Sequence, residues 1–273
     1  MAEPSTPFQI DDALDAELRR AAEVLSRARS VVALTGAGLS VESGIPPFRG
    51  KGGLWTKYGE PPLDGYQRFL EDPAESWRKQ LDPKEPWARA LRDTLSAARP
   101  NAGHRALAEL EGLGRLDCLI TQNVDDLHTQ AGSRALAEIH GNYTLLRCTG
   151  CNVRFPRAGF PIDREQLPPV CPECGNVVKG DTVSFGEPIP ADVLQRCFDA
   201  VERADCILVA GTSATVYPAA GFPVEVVRAG GSLVEVNPEP TDLTSLATVH
   251  LCGPGAVLLE RLVHHVRALA EAA

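Results

Sequence analysis

"SVVALTGAGLSVESGIPPFRG", residues 30–50, decides the fold. Its "VVALT" segment is an apolar, β-branched run too short for a helix, and Gly36 and Gly38 stop it, so it reads as a buried strand running into a glycine-rich turn. Just upstream, residues 11–29 place Leu14, Leu18, Ala21, Ala22 and Leu25 at helical spacing. The helix-then-strand alternation returns as "RALAELEGLG" before "LDCLITQN", as "ADVLQRCFDAVERA" before "DCILVAGTS", and as "FPVEVVRAG" before "GSLVEVNP". Four apolar strands alternating with helices predict an α/β fold built on a doubly wound parallel sheet covered on both faces.

Two stretches break this rhythm. Residues 50–100 are rich in Trp, Pro and charge, with helical fragments at "YQRFLEDPAESWRKQL" and "PWARALRDTLSAA". Residues 142–180 contain short strands and turns with too few apolar residues for a core of their own. Both read as modules inserted into one Rossmann-like domain. That domain is expected over residues 10–50, 98–142 and 181–273, with the end of a cofactor loop and a helical module over 51–97 and a cysteine-bearing module over 143–180.

The composition, 44% hydrophobic and 23% charged over 273 residues, belongs to a globular chain able to bury a large core. A net charge of −9 argues against general affinity for nucleic acid or anionic lipid and is compatible with basic, lysine-containing substrates. The N-terminal stretch has no basic-then-apolar leader pattern and no window approaches membrane-spanning length, so a cytoplasmic protein is expected.

Four of the eight cysteines form two C-x-x-C units, Cys148/Cys151 and Cys171/Cys174, separated by 19 residues. In a chain of this size in a reducing compartment such pairs read as metal ligands or redox centres, not as a secreted disulfide framework. The spacing is that of a zinc ribbon. Four thiolates make a closed tetrahedral site with no position for water or substrate, so the expected role of one zinc ion is structural. Cys118, Cys197, Cys206 and Cys252 stand singly, the usual pattern of inert buried thiols.

Gly36, Ala37 and Gly38 follow the first strand at a place where small residues let backbone N–H groups approach a pyrophosphate. The G-x-G-x-x-G pattern is incomplete, because Val41 stands at its last position. Ser40, Phe48 and Arg49 follow in a Pro- and Gly-rich segment of the kind that covers a bound ligand. Three other strands end in polar clusters: Thr121, Gln122, Asn123 and Asp125; Gly211, Thr212 and Ser213; Asn237 and Glu239. Ligands of open α/β sheets bind at the carboxyl ends of the strands, so the four clusters are expected to converge on one crevice.

In this order, "GAGLSVESGIPPFRG", "TQNVDDLH", "HGN", the paired C-x-x-C units, "FGEPIP", "GTSATVYPAA" and "VNPEPT" resemble the sirtuins, the Sir2 family of NAD-dependent protein-lysine deacylases, of prokaryotic type with a four-cysteine zinc ribbon. The resemblance runs from about residue 20 to 265. It implies a Rossmann domain for NAD and a smaller domain made of the zinc ribbon and a helical module, with acyl-lysine peptide and NAD meeting between them.

By motif position Gly36, Ala37, Gly38, Ser40, Phe48 and Arg49 would line the pyrophosphate and nicotinamide-ribose region, with Gln122, Asn123 and Asp125 at the ribose and the carboxamide. Gly211, Thr212, Ser213, Asn237 and Glu239 would border the adenosine half, with Cys252 near the adenine. His140 matches the catalytic histidine, and Asn123 counts with it among the catalytic residues. The implied peptide site takes main-chain contacts from Val183, Gly186, Glu187 and Val216, with Phe48, Phe185 and His140 lining a tunnel for the acyl-lysine stem. Strand addition of this kind reads backbone more than side chains, so sequence preference is expected to be loose.

In the implied reaction the acyl oxygen displaces nicotinamide from the ribose, and a ribose hydroxyl loses a proton to attack the alkylamidate so formed. The products are free lysine, nicotinamide and O-acyl-ADP-ribose. A group with an ordinary pKa near ~6.5 suits that proton transfer. The other five histidines carry no such role on this reading. A mono-ADP-ribosyltransferase using the same NAD pocket, and a non-enzymatic NAD-sensing module, are the rival readings.

The chain departs from the family pattern at Pro47, which replaces a carboxylate, at Ala214, expected to widen the adjacent cleft, and at Gly180-Asp181, expected to loosen the link from ribbon to main domain. No Y-x-x-R pair, the family's device for succinyl or malonyl groups, occurs between residues 50 and 100. An uncharged acyl chain, acetyl first, is therefore expected.

Overall fold

The computed structural model describes residues 8–50 and 52–272. Residues 1–7, part of the stretch read above for a leader, and the segment boundaries at Lys51 and Ala273 lie outside the described residues.

The chain opens with α1 (Asp12–Arg27) and β1 (Val31–Thr35), followed by a 3-10 turn at Ala37–Ser43. The helical excursion is α2 (Leu54–Tyr58), α3 (Gly65–Glu71), α4 (Pro73–Leu81) and α5 (Pro86–Ala97). Then come α6 (Ala102–Gly112), β2 (Cys118–Thr121), α7 (Leu127–Ala131) and β3 (Leu136–Glu138). The cysteine module holds β4 (Leu145–Cys148), β5 (Arg154–Pro156) and β6 (Val178–Gly180). The chain closes with α8 (Ala191–Arg203), β7 (Cys206–Ala210), α9 (Gly221–Arg228), β8 (Ser232–Asn237), β9 (Val249–Cys252) and α10 (Gly255–Glu271). Among the described residues no helix is long and apolar enough to cross a membrane.

Local chemistry sets these elements. Asp11 caps α1 by accepting from the Leu14 N–H at 2.8 Å, and the helix buries Leu18, Ala21, Ala22 and Leu25. The excursion breaks at Asp72, whose extended backbone ends α3 while its carboxylate accepts from the Glu75 N–H and Pro73 opens α4.

Six parallel strands form the main sheet in the order β3-β2-β1-β7-β8-β9. This is two strands wider than the four expected. Both extra strands are short edge strands, and β9, "VHLC", carries a polar residue mid-run, so neither stands out as an apolar segment. Residues alternate between two cores. On one face Leu18, Leu107 and Leu262 pack against Val31, Ala33, Leu119, Leu208 and Val234; on the other Cys197, Val201 and Phe222 pack against Val32, Leu34, Ile120, Ile207 and Val209. Each fully buried Leu or Phe contributes roughly 1.5–3 kcal/mol of transfer free energy, which is why strands covered on both faces read as unbroken apolar runs.

The small sheet, β5-β4-β6, is antiparallel. Its core is too small to stand alone. Leu146, Cys148, Cys171 and Val178 surround Trp77 of α4, whose indole N–H donates to the Val178 carbonyl at 2.7 Å. The helical excursion and the ribbon therefore share one core, to which α4 contributes the buried Trp77 and the partly buried Leu81.

The structure corrects two expectations. Ala214, expected at the cleft, is not one of its lining residues; it packs against the core beneath α8 and α9, between Ser213 and Thr215, which do line the cavity. The Gly180-Asp181 link is not loose. Both residues are buried, and the Asp181 carboxylate accepts from Arg147 Nε at 3.0 Å, Arg154 Nε at 3.1 Å and the Asn142 N–H at 3.1 Å.

Candidate functional site

β1 has β2 on one side and β7 on the other, which makes the gap between β1 and β7 the switch point of the sheet. A cavity of about 1060 Å³ opens there. Its walls are Gly36, Ala37 and Gly38 after β1, Gln122 and Asn123 after β2, Gly211, Thr212 and Ser213 after β7, and Asn237 and Glu239 after β8. Glycine is needed where the β1 and β7 ends touch: a Cβ on Gly36 would lie 2.6 Å from Thr212 Cβ, and one on Gly38 would lie 2.7 Å from the Gly211 carbonyl oxygen. The bare backbone of these turns is a surface that a dinucleotide pyrophosphate fits.

Phe48, Arg49, His140, Val183, Phe185, Gly186, Glu187 and Val216 line the same cavity. Trp55 completes this end, with its ring centroid 5.1 Å from Phe48 and 5.8 Å from Phe185 and the Arg49 guanidinium 4.4 Å over it. Sequence reading missed Trp55, although a tryptophan seven residues past Phe48 was an available signal. It also missed Tyr217, Pro254 and Gly255, which line the cavity as well. The last two belong to the start of α10, at the far end of the chain.

Thr121, whose Oγ1 accepts from Thr35 Oγ1 at 2.9 Å, is one of four named residues that lie off the wall. Ser40 and Asp125 are buried one layer behind it, with Ser40 Oγ donating to Asp125 Oδ2 at 2.6 Å and accepting from Asn123 Nδ2 at 3.2 Å. Cys252 is exposed, and its thiol donates to the Pro238 carbonyl at 3.3 Å, behind a residue that does line the cavity. Beneath Ser40 the polar layer continues through two buried histidines. His104 Nε2 is 3.5 Å from Ser40 Oγ, its ring lies 4.8 Å from that of His128, and His128 Nε2 is 3.0 Å from Thr35 Oγ1. Burial lowers both pKa values, that of His104 to about 4, so both rings are neutral at physiological pH.

His140 follows β3 and faces the cavity with one nitrogen already committed. Its Nδ1 lies 3.1 Å from the Gln122 carbonyl, which can only accept, so Nδ1 carries the proton and Nε2 keeps a free lone pair. Asn123 is oriented in the same way. Its Nδ2 donates to the Gly36 carbonyl at 3.0 Å as well as to Ser40, leaving Oδ1 to accept from a ligand.

Burial also holds the His140 pKa below its ordinary 6.5, with the Gln122 bond opposing. A base must be neutral to act, and a lowered pKa keeps it neutral at more acid pH. The acid limb of kcat/KM is therefore expected below pH 6.5 when rates are followed from about pH 5 to 9; a limb centred higher would contradict this environment for His140.

The four cysteine sulfurs lie within 4.8 Å of one another, with Cys148 and Cys174 Sγ 3.4 Å apart and Cys151 and Cys171 Sγ 3.8 Å apart. Zinc–sulfur bonds of about 2.3 Å space tetrahedral sulfurs roughly 3.8 Å apart, so the cluster fits one zinc ion. The Gly150 N–H donates to Cys148 Sγ at 3.3 Å and Asn176 Nδ2 to Cys174 Sγ at 3.4 Å, contacts that suit thiolates.

A doubly wound sheet with a glycine turn at its switch point, joined to a closed four-thiolate ribbon across a cleft holding a neutral histidine, defines a nucleotide-dependent α/β enzyme class. The Sir2 family model matches residues 36–218. The chain is 45% identical over 247 residues to NAD-dependent protein deacylase 1 of Archaeoglobus fulgidus, covering 90% of this chain and 96% of that relative. It is 44% identical to the NAD-dependent protein deacylase of Thermococcus kodakarensis, covering 92% and 96%. Among solved structures it is similar to a Sir2 homolog–NAD complex (TM-score 0.76, 43% identity, 96% of this chain and 95% of that one). It is also similar to a Sir2–p53 peptide–NAD+ complex (TM-score 0.68, 30% identity, 97% and 100%). The chain belongs to the Sir2 family.

Proposed function

We infer that this protein is an NAD-dependent protein-lysine deacylase that consumes one water and releases free lysine, nicotinamide and O-acyl-ADP-ribose, with acetyl-lysine as its first substrate. The observation that carries the reading is His140, tautomerically set and with Nε2 free, at the wall of a cavity on which four strand ends converge. The named activity of relatives aligned over nine-tenths of the chain supports it.

NAD, when bound, supplies the ribose that loses nicotinamide and ends bearing the acyl group. The glycine turns at Gly36–Gly38 and Gly211 offer backbone to its pyrophosphate, and Asn237 and Glu239 border its adenosine half. Asn123 presents Oδ1 as an acceptor, held there by Ser40 and Asp125. His140 Nε2 takes a proton from a ribose hydroxyl and can return it. The acyl-lysine stem lies among Phe48, Trp55 and Phe185, an apolar wall that favours an uncharged chain. Val183, Gly186, Glu187 and Val216 border the peptide, with main-chain pairing as the recognition mode. One zinc ion held by Cys148, Cys151, Cys171 and Cys174 is structural. A cytoplasmic setting is supported by four thiolates that a reducing compartment keeps available.

The test is incubation with an acetyl-lysine peptide, with and without NAD, following peptide mass and nicotinamide together. The expected result is loss of acetyl only with NAD and one nicotinamide per lysine, with a succinyl-lysine peptide turned over far more slowly. Nicotinamide release with the acetyl group intact would point instead to ADP-ribosyl transfer.

A further inference from the structure

The seam between the ribbon and the main sheet holds a cluster of buried charge that the chemistry above does not use. Arg147 on β4 and Lys179 on β6 are paired neighbours across the small sheet, one register step from the Cys148–Val178 pair. Their side chains are only 9% and 7% exposed, and the Glu187 carboxylate between them is 3% exposed. Arg147 Nη2 reaches Glu187 Oε1 at 2.5 Å, and Lys179 Nζ lies 3.1 Å from Oε2. Oε2 also accepts from the Ser184 N–H at 2.9 Å, while the Glu187 N–H donates back to the Ser184 carbonyl at 3.0 Å. The turn Ser184–Glu187 is thereby closed on itself and fastened to the ribbon.

What this turn carries is the cavity wall made by Val183, Phe185 and Gly186. Its other end is tied to the catalytic strand end, because the Val183 N–H donates to the His140 carbonyl at 2.8 Å. Burying ions is costly, and a buried pair is often no more stabilising than an apolar substitute, so stability alone does not account for the cluster. Its distinctive property is directional: a carboxylate with donors from two paired strands and its own turn can sit in one place only. Arg147 and Lys179 do not line the cavity. Nor does the cluster bond to the turns after β1, β7 and β8 that form the opposite, nucleotide-facing wall.

We propose that the Arg147–Lys179–Glu187 cluster positions the acyl-peptide wall of the cavity and makes peptide binding, but not NAD binding, depend on the four-cysteine ribbon. The proposal rests on the deacylase reading. Arg147 and Lys179 are positioning residues in it, acting on the substrate through Glu187.

The experiment compares the zinc-loaded wild type with Lys179→Met, Glu187→Gln and Lys179→Arg, measuring zinc per chain and separate KM values for an acetyl-lysine peptide and for NAD. Lys179→Met and Glu187→Gln are expected to keep their zinc, to raise the peptide KM about tenfold and to leave the NAD KM within about twofold, since a small displacement of a binding wall acts only on what it touches. Lys179→Arg, which restores the charge, is expected to bring the peptide KM back to the wild-type value. An unchanged peptide KM, an equal rise in both KM values, or loss of zinc from both charge-removing variants would overturn the proposal. Wild type without NAD-dependent deacylation would overturn the functional reading and this proposal together, whereas active wild type with unshifted variants would overturn the positioning alone.

Discussion

Replacement of His140 by alanine is expected to lower deacylation by about 10²–10⁴-fold while NAD binding stays within about twofold of the wild type. The size follows from what the imidazole supplies. With Nδ1 bonded to the Gln122 carbonyl, Nε2 is a base of fixed direction at the wall where acyl-lysine and ribose are proposed to meet. A water in the space left by alanine has neither the basicity nor the orientation. The imidazole accepts no hydrogen bond from the turns after β1, β7 and β8 in this structure, so the nucleotide wall should be untouched. Product formation followed by mass, beside NAD titration by calorimetry, checks both halves. Wild-type turnover in His140→Ala would remove the base from the mechanism, and loss of NAD binding would mean that the ring supports the nucleotide wall instead.

Removal of zinc, by a strong chelator or by Cys171→Ser, is expected to unfold the ribbon over residues 143–180 and abolish activity. Structural zinc sites bind with ~10–16 kcal/mol, which here becomes folding free energy. The ribbon has little else to hold it. Beyond two of its own cysteines its buried core is Leu146, Val178 and the borrowed Trp77, and a segment below about 40 residues rarely folds without metal, disulfides or a partner. Because Trp77 anchors α4 to this core, the helical excursion should loosen with it. Zinc content, near-ultraviolet circular dichroism and limited proteolysis between residues 143 and 180 report the change. Zinc-free protein with an intact, protease-resistant ribbon would show that packing alone holds the module.

Much of this molecule is legible in its sequence, for reasons particular to each element. β1, β7 and β8 are covered on both faces, so most of their positions are apolar and the runs "VVALT", "CILVA" and "SLVEVN", broken by polar residues at strand ends and by Glu235 within β8, announce themselves. The cysteine spacing carries its ligand set because a knuckle brings two thiolates to one ion within four residues. Convergence of the strand-end clusters follows from the rule that a parallel sheet gathers its loops at one edge. β9 and β3 escape notice because three or four residues with polar neighbours leave no periodicity to read.

Sequence alone thus determined the fold class and the four-cysteine cluster that fits one zinc ion, since each depends on residues close together in the chain or on a motif whose spacing is its chemistry, while His140 was singled out by its place in a family motif. Tertiary structure alone decided that Ser40 pairs with Asp125 behind the wall across 85 positions of sequence, and that the Glu187 carboxylate turns away from the cavity toward Arg147 across 40. It also decided that Asp181 fastens a link the sequence suggested was loose. The physical reason is common to all three. A buried charge or hydroxyl must find a partner wherever the fold brings one within about 3 Å, and that choice leaves no periodicity or spacing in the chain.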